Sequence, residues 1–381
     1  HMVQTFAWLE ELFQKLKLLL MIYIKGVVRQ TLEKAAEAKI QIVAIDLPSG
    51  IDGDTGAVLG YAAKAAHCIT FHPKKTGHCL LPGRTYCGDI HVESIGTPEH
   101  VLAGIRSRCW ENHPALWQSA MRWPGPESNK YTRGVALVVG GGSETTGAAR
   151  LAARAALRAG AGIVTVACPR DALPTYAADL VAVMTKVVSG TEDLVTYAAD
   201  RRRNAVLIGP GCGISDLTRR RTLGLLALGK PCVIDADALS VFAEVPSLLF
   251  HALNENCVLT PHDGEFVRLF PKVGGSRLER ARGAAIASGA VVLLKGGDTV
   301  VAAPDGRATI TTNAPPDLAT AGTGDVLAGI VVGLLDQGMG AYDAANAAAW
   351  IHADTARRFG PGLIAEDLPD EIPQTYRNLI K

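Results

Sequence analysis

An α/β fold, built on a mostly parallel sheet with helices on both faces, is what this sequence predicts. Three observations carry the prediction. Short apolar, β-rich runs alternate with helical stretches between residues 134 and 295. Glycine-rich polar segments follow those runs instead of preceding them. The composition is that of an ordinary globular protein: 381 residues, 48% hydrophobic and 20% charged, enough for two or three domains with a large core. A formal net charge of +1 gives no electrostatic argument for nucleic acid or a membrane surface as partner. Eight cysteines without regular spacing point to free thiols in a reducing compartment, the cytoplasm by default.

The elements follow in order. His1-Met2 reads as a cloning remnant. KLKLLLMIYIKG holds a seven-residue apolar stretch between Lys17 and Lys25, where a membrane helix needs about 20 apolar residues. It also lacks the small-residue cleavage site of a signal peptide, so residues 3–40 read as one or two helices. QIVAID (41–46) reads as a buried strand ending in an acid, followed by the turn-rich PSGIDGDTG. CITF (68–71) and DIHVESIG (89–96) read as further strands. Within this first region, 3–105, only about 60–70 residues show an organised α/β pattern, small for an independent parallel-sheet domain. RSRCWENHPALWQSAMRWPGPES (106–128) has three tryptophans, three prolines and no clear period, which suggests an irregular connector.

From residue 129 to 381 the pattern is regular. GVALVVG (134–140), GIVTVAC (162–168), NAVLIG (204–209), PCVID (231–235), CVLT (257–260) and AVVLLK (290–295) are strand-like runs, separated by helical stretches such as TTGAARLAARAALRAG. TVVAAPDGRATI adds a hairpin turning at PDG. GGGSETTG, GPGCG, DADAL, TPHDGE and KGGDT all sit at carboxyl ends of strands, where open α/β sheets form their ligand crevice.

The densest chemistry lies in LATAGTGDVLAG (318–329), ahead of the apolar run IVVGLL. Gly322 and Gly324 remove side chains so that backbone N–H groups can approach a ligand, and the helix starting near Thr323 leaves its first N–H groups unpaired. Together they make an anion hole suited to a phosphate in transfer. Asp325, in the first turn, could take a proton from an attacking hydroxyl; the plainer alternative is a carboxylate that only stabilises the helix dipole. His262 in TPHDGE either closes a turn or meets a ligand, and Lys295 is either a solvated strand-end lysine or a phosphate contact. Asp235 and Asp237 either hold Mg²⁺ through water or cap the next helix.

GTGD before an apolar helix resembles the ribokinase-like superfamily. KYTRGVALVVGGG, TTGAARLAARAALRAGAG, IGPGCG, VIDADAL, LTPHDGEF, LLKGGDT and LATAGTGDVLAG, in that order over residues 129–381, resemble one branch of it: the NAD(P)H-hydrate dehydratase, the carboxy-terminal domain of the YjeF family. The resemblance implies a ribokinase-like fold and repair of NADHX and NADPHX, nicotinamide cofactors hydrated at ring carbon 6. The ring hydroxyl is phosphorylated and phosphate then departs, with ADP or ATP as co-substrate and Mg²⁺ present. It implies Asp325 as base and substrate contact, with Gly322, Thr323 and Gly324 as the anion hole and Gly324 also on the nucleotide. It further implies Ala148, Gly213 and His262 on the hydrated cofactor, and Lys295, Gly296, Gly297, Asp298 and Thr299 on the nucleotide phosphates. A homo-oligomer, a tetramer, is expected. A thiazole or pyrimidine vitamin-precursor kinase would share GTGD but carry motifs other than LTPHDGEF and KGGDT, and a non-catalytic nucleotide-binding protein would have no use for Asp325.

IVAIDLPSGIDGDTG and TFHPKKTGHCLLPGRTYCGDIHVESIG resemble the tail of the other half of the same family, the NAD(P)HX epimerase, over about residues 36–97. An incomplete Rossmann-like region is implied, with Asp46 matching the substrate-contacting acid and Ser49 a potassium ligand. Residues 3–35 do not supply the asparagine- and glycine-rich substrate loop of that domain, so its site is expected to be broken. His67, Cys68, His72, His78, Cys79, Cys87 and His91 fall within 25 residues. Their spacings contain no CxxC or HxxxH pair, and on alternating strand positions several face opposite ways, so the sequence predicts no zinc site there.

Overall fold

The computed structural model describes residues 26–96, 98–105 and 107–380, and the chain divides into two compact units, His1–Ile105 and Arg106–Lys381. The expected helices within residues 3–25 lie outside the described residues; 26–37 form helix α1.

In the first unit, β1 (Val43–Ile45), β2 (His67–Phe71) and β3 (Asp89–Glu93) form a parallel sheet in the order β1-β2-β3, followed by α2 (Glu99–Ile105). Alternation decides its faces: Ala44, Cys68 and Thr70 are buried, whereas Val43 and Ile45 expose 51% and 63% of their surface. A small apolar core of Ala44, Ala65, Cys68 and Cys87 sits beneath.

The second unit is a sheet of ten strands. Along the chain come β4 (Cys109–Glu111), β5 (Val135–Val139), α3 (Thr146–Arg158), β6 (Ile163–Cys168), α4 (Leu173–Asp179), β7 (Met184–Val187), α5 (Thr191–Ala199) and β8 (Ala205–Ile208). Then follow α6 (Asp216–Leu226), β9 (Cys232–Ile234), α7 (Asp237–Ser240), α8 (Pro246–Phe250), β10 (Cys257–Leu259), α9 (Asp263–Leu269), α10 (Arg277–Ser288) and β11 (Val291–Leu294). The hairpin β12 (Val300–Ala302) and β13 (Ala308–Ile310) precedes α11 (Thr323–Leu335), α12 (Ala341–Phe359) and α13 (Asp367–Leu379). The strand order is β4-β13-β12-β11-β10-β9-β8-β5-β6-β7. β12 pairs antiparallel with β11 and β13, and every other pairing is parallel. The order reverses between β5 and β8, the switch point at which such sheets open a crevice.

The central strands are buried at every position because helices cover both faces. α11 is buried almost all round, as its apolar sequence demands. It lies against the alanine-rich α3 because glycine lets backbones approach: a Cβ at Gly333 would come 2.6 Å from the Ala156 carbonyl oxygen, and one at Gly329 would overlap that of Ala152.

The segment 106–128, expected as an irregular connector, contributes β4 to the sheet edge and Trp117 to the core. Trp117 Nε1 donates to Asn112 Oδ1 at 3.0 Å, and Asn112 Nδ2 donates to the Asn346 carbonyl at 2.8 Å and to Thr311 Oγ1 at 3.1 Å. Among the described residues no helix is long and apolar enough to cross a membrane, and all eight cysteines are free thiols.

Candidate active site

The loops after β5, β8, β9, β10 and β11 line one edge of the sheet, and α11 points its amino terminus at the same edge. At the switch point the first two loops interlock: Thr145 Oγ1 donates to the Gly211 carbonyl at 2.6 Å, and Gly141 has no room for a Cβ beside that carbonyl. Ala148 stands half-buried in the first turn of α3. Gly213, at φ +77°, donates its N–H to Asp237 Oδ2 at 2.8 Å, and its carbonyl accepts from Thr218 Oγ1 at 2.7 Å.

After β9, Ala236 is held at φ 48°. A left-handed non-glycine residue costs of order 1–3 kcal/mol, and here it lies between Asp235 and Asp237. Neither acid caps α7: Ala236 is the N-cap, with no side-chain hydrogen bond. Asp237 instead holds Gly213, and Asp235, 1% exposed, accepts from Lys295 Nζ at 2.8 Å. Glu265 Oε2 is 4.0 Å from the same ammonium. Burial works against the lysine's charge, but the Asp235 and Glu265 carboxylates outweigh it and hold Lys295 above the usual lysine range.

His262 caps α9. Its Nδ1 accepts from the Gly264 N–H at 2.9 Å, while Glu265 Oε2 accepts from the His262 N–H at 2.9 Å, a reciprocal capping box. The ring stays 55% exposed, with Nε2 3.5 Å from Glu265 Oε1.

In KGGDT the side chains of Asp298 and Thr299 shape the loop. Asp298 Oδ1 pairs with Arg277 Nε at 3.2 Å, and Thr299 Oγ1 donates to the Gly296 carbonyl at 2.7 Å. Arg277 also donates to the Lys295 carbonyl and pairs with Asp263 at 3.0 Å, and its guanidinium leaves no space for a Cβ on Gly296. Lys295, Gly296 and Gly297 border a cavity of about 280 Å³. Thr299, Thr323 and Gly324 also line it, with Pro315, Pro316 and Leu318 as an apolar wall.

Two glycines open α11 for different reasons. Gly322, the N-cap, sits at φ +86°, and a Cβ there would meet Leu151 Cδ1 at 2.8 Å. Gly324 has ordinary backbone, and a Cβ there would meet only Lys295 Nζ, at 3.4 Å. Thr323 Oγ1 donates back to the Leu318 and Thr320 carbonyls. Asp325 follows, partly buried. Burial first, and then the charge of Asp235, push its carboxyl up to about 6 despite the nearby Lys295. A carboxyl so tuned can take a proton near neutral pH while a preorganised ammonium and helix N–H groups face an anion.

His352, on α12, lines the same cavity and had no signal in the sequence beyond a histidine inside an alanine-rich helix. Burial drives its pKa down to about 4, and its Nε2 has no hydrogen-bond partner. Asp46 and Ser49 lie in the other unit, in different surroundings. Asp46 Oδ1 accepts from Lys75 Nζ at 2.5 Å and Thr70 Oγ1 at 2.7 Å, whereas Ser49 is exposed and lines a surface pocket with Gly26, Arg29 and Tyr61.

The family described as NAD(P)H-hydrate dehydratase matches residues 136–376, and that described as YjeF-related protein N-terminus matches residues 21–77. The bifunctional NAD(P)H-hydrate repair enzyme Nnr of Salinibacter ruber is 38% identical over 356 residues, 87% of this chain and 65% of its own length. That of Moorella thermoacetica is 36% identical, over 90% of this chain and 68% of its own. The chain thus spans about two thirds of the length of these relatives. Among solved structures, an ADP/ATP-dependent NAD(P)H-hydrate dehydratase from Bacillus subtilis, co-crystallised with ATP/Mg²⁺, is 26% identical. It superposes with a TM-score of 0.61 over 71% of this chain and 98% of its own. A ribokinase-like superfamily protein from Enterococcus faecalis shares the fold at 21% identity and a TM-score of 0.63, over 72% of this chain and 97% of its own.

Proposed function

Since this chain belongs to the NAD(P)H-hydrate dehydratase family, we propose that it repairs the S epimer of hydrated NADH or NADPH, with ADP as phosphoryl donor. The observation that carries the reading is Asp325: a carboxyl raised to about 6, in the first turn of α11, with Lys295 acting on it across the site. The substrate hydroxyl on ring carbon 6 would lose its proton to Asp325 as its oxygen attacks the terminal phosphorus of ADP, and AMP leaves. The phosphate ester then parts from carbon 6 with the bonding pair, a proton leaves carbon 5, and the dihydropyridine is restored. Ammonium and helix N–H groups stabilise the charge that builds on the transferred group.

In this reading Ala148, Gly213 and His262 would meet the substrate, and Lys295 to Thr299 with Gly324 would meet the nucleotide. Asp298 and Thr299 act through loop shape. The donor set is hard oxygen, which fits Mg²⁺ brought with the nucleotide; Asp237 would hold it and the ion would neutralise phosphate charge. A homo-oligomer is part of the same proposal. The test is recovery of the reduced-nicotinamide absorbance from hydrated NADH. Conversion should require ADP or ATP, and Asp325→Asn should lower kcat about 10²-fold or more while nucleotide still binds. No nucleotide-dependent recovery, or near-normal turnover without the carboxylate, overturns the assignment.

A further inference from the structure

Two imidazoles and a carboxylate share the outer face of the three-stranded sheet. The parallel register sets His67 opposite Asp89 and Ile69 opposite His91. With side chains alternating along each strand, Asp89 and His91 leave β3 on the face that His67 leaves β2. His67 Nδ1 and His91 Nε2 are 3.3 Å apart, with ring centroids at 5.4 Å, and Asp89 Oδ2 lies 3.8 Å from His67 Nδ1. The His67 and Asp89 side chains are 42% and 82% exposed.

We propose that His67, His91 and Asp89 form a Zn²⁺ site that ties strand β3 to β2. A tetrahedral ion at about 2.0–2.1 Å from two imidazole nitrogens holds those nitrogens about 3.3 Å apart, the spacing already present. Octahedral neighbours would be drawn in to about 2.9 Å. Asp89, largely in solvent, needs only a side-chain rotation to supply an oxygen, and water completes the shell. Binding replaces the one hydrogen bond between the rings, and the far nitrogen of each ring is left to carry its proton.

A second cluster lies in the same unit. Cys68 Sγ, Cys87 Sγ and a ring nitrogen of His78 lie within 4.8 Å of one another beneath the same sheet. That cluster is closed. His78 Nδ1 accepts from the Lys75 N–H at 3.0 Å and Nε2 donates to the Asp46 carbonyl at 2.7 Å. Cys68 and Cys87 donate to the Asp46 and Gly83 carbonyls, each at 3.3 Å. A metal on Nε2 would require a proton on Nδ1, where the Lys75 N–H already points.

Zinc titration of the full chain, freed of metal by chelation, tests the proposal by competition with a chromophoric chelator. One equivalent should bind, and His67→Ala or His91→Ala should each weaken it by about tenfold or more, with dehydration of hydrated NADH unchanged. Co²⁺ in place of zinc should show tetrahedral visible bands and no thiolate-to-metal charge-transfer band. Three results overturn the site: no binding by the unaltered chain, retention of affinity in the double variant, or a thiolate band, which would move the metal to Cys68 and Cys87.

Discussion

Asp325 carries a cost that can be read as stability. Its carboxyl titrates at about 6 in the folded protein against an ordinary 3.8, so folding favours the protonated form. The sign follows: the contribution is fully present below about pH 4 and is lost as pH rises through 6. At pH 7.5 the ionised group costs on the order of 2–3 kcal/mol. Asp325→Asn, neutral throughout, should therefore melt higher than the unaltered protein at pH 7.5, and the gap should close towards pH 4; scanning calorimetry across that range checks it. A gap independent of pH would mean that the carboxyl is not perturbed. In activity the sign reverses, because the ionised base is the working form: kcat/KM should fall below about pH 6. The GTGD and KGGDT signals make Asp325 and Lys295 legible in sequence, since chemistry confined to a short turn is local. The pairing of Lys295 with Asp235, 60 residues apart, depends on β9, β10 and β11 lying side by side, which no local pattern states. His352 is hidden for the same reason.

At the scale of elements, two glycines of α11 separate binding from folding. Gly324→Val should leave the melting temperature of the unliganded protein nearly unchanged and weaken nucleotide binding, since a Cβ placed there meets only the Lys295 ammonium. Gly329→Val, deep in the contact with α3, should lower stability by about 2–4 kcal/mol without touching the site. Calorimetry with and without ADP distinguishes them, and equal losses of stability would refute the division. The buried strands were legible because each is an apolar run of nearly fixed length. β4 and β7 were not: Cys109–Glu111 contains a charge, Met184–Val187 is half-exposed, and both are outermost in the sheet. Edge strands have one neighbour and little burial, so they leave no run to find.

For the whole molecule, the chain carries a unit matching the YjeF-related N-terminus, in which Asp46 is engaged with Lys75 and Thr70 while Ser49 lies exposed. We propose that this arrangement does not hold a ring in place while its stereocentre inverts. With ADP and Mg²⁺, chromatography of mixed epimers should show the S form consumed and the R form inverting no faster than without protein; prompt loss of the R form would establish a working epimerase. The larger unit should also depend on its first twenty residues. A fragment beginning at residue 129 loses β4, Trp117 and the Asn112 bridge to Asn346, and should be less stable by several kcal/mol than one beginning at 107; equal denaturant midpoints would refute this.

The same edge has a consequence in time. Asn112 meets Thr311 across 199 residues and Asn346 across 234. At about 5–20 residues per second on a ribosome, the earliest-made strand of the large sheet waits roughly ten seconds or more for the neighbour it will lie beside. Until then β4 and Trp117 travel outside any sheet, and the opposite border, β7 against β6, can settle first. The last seam to close is the one the ribosome began.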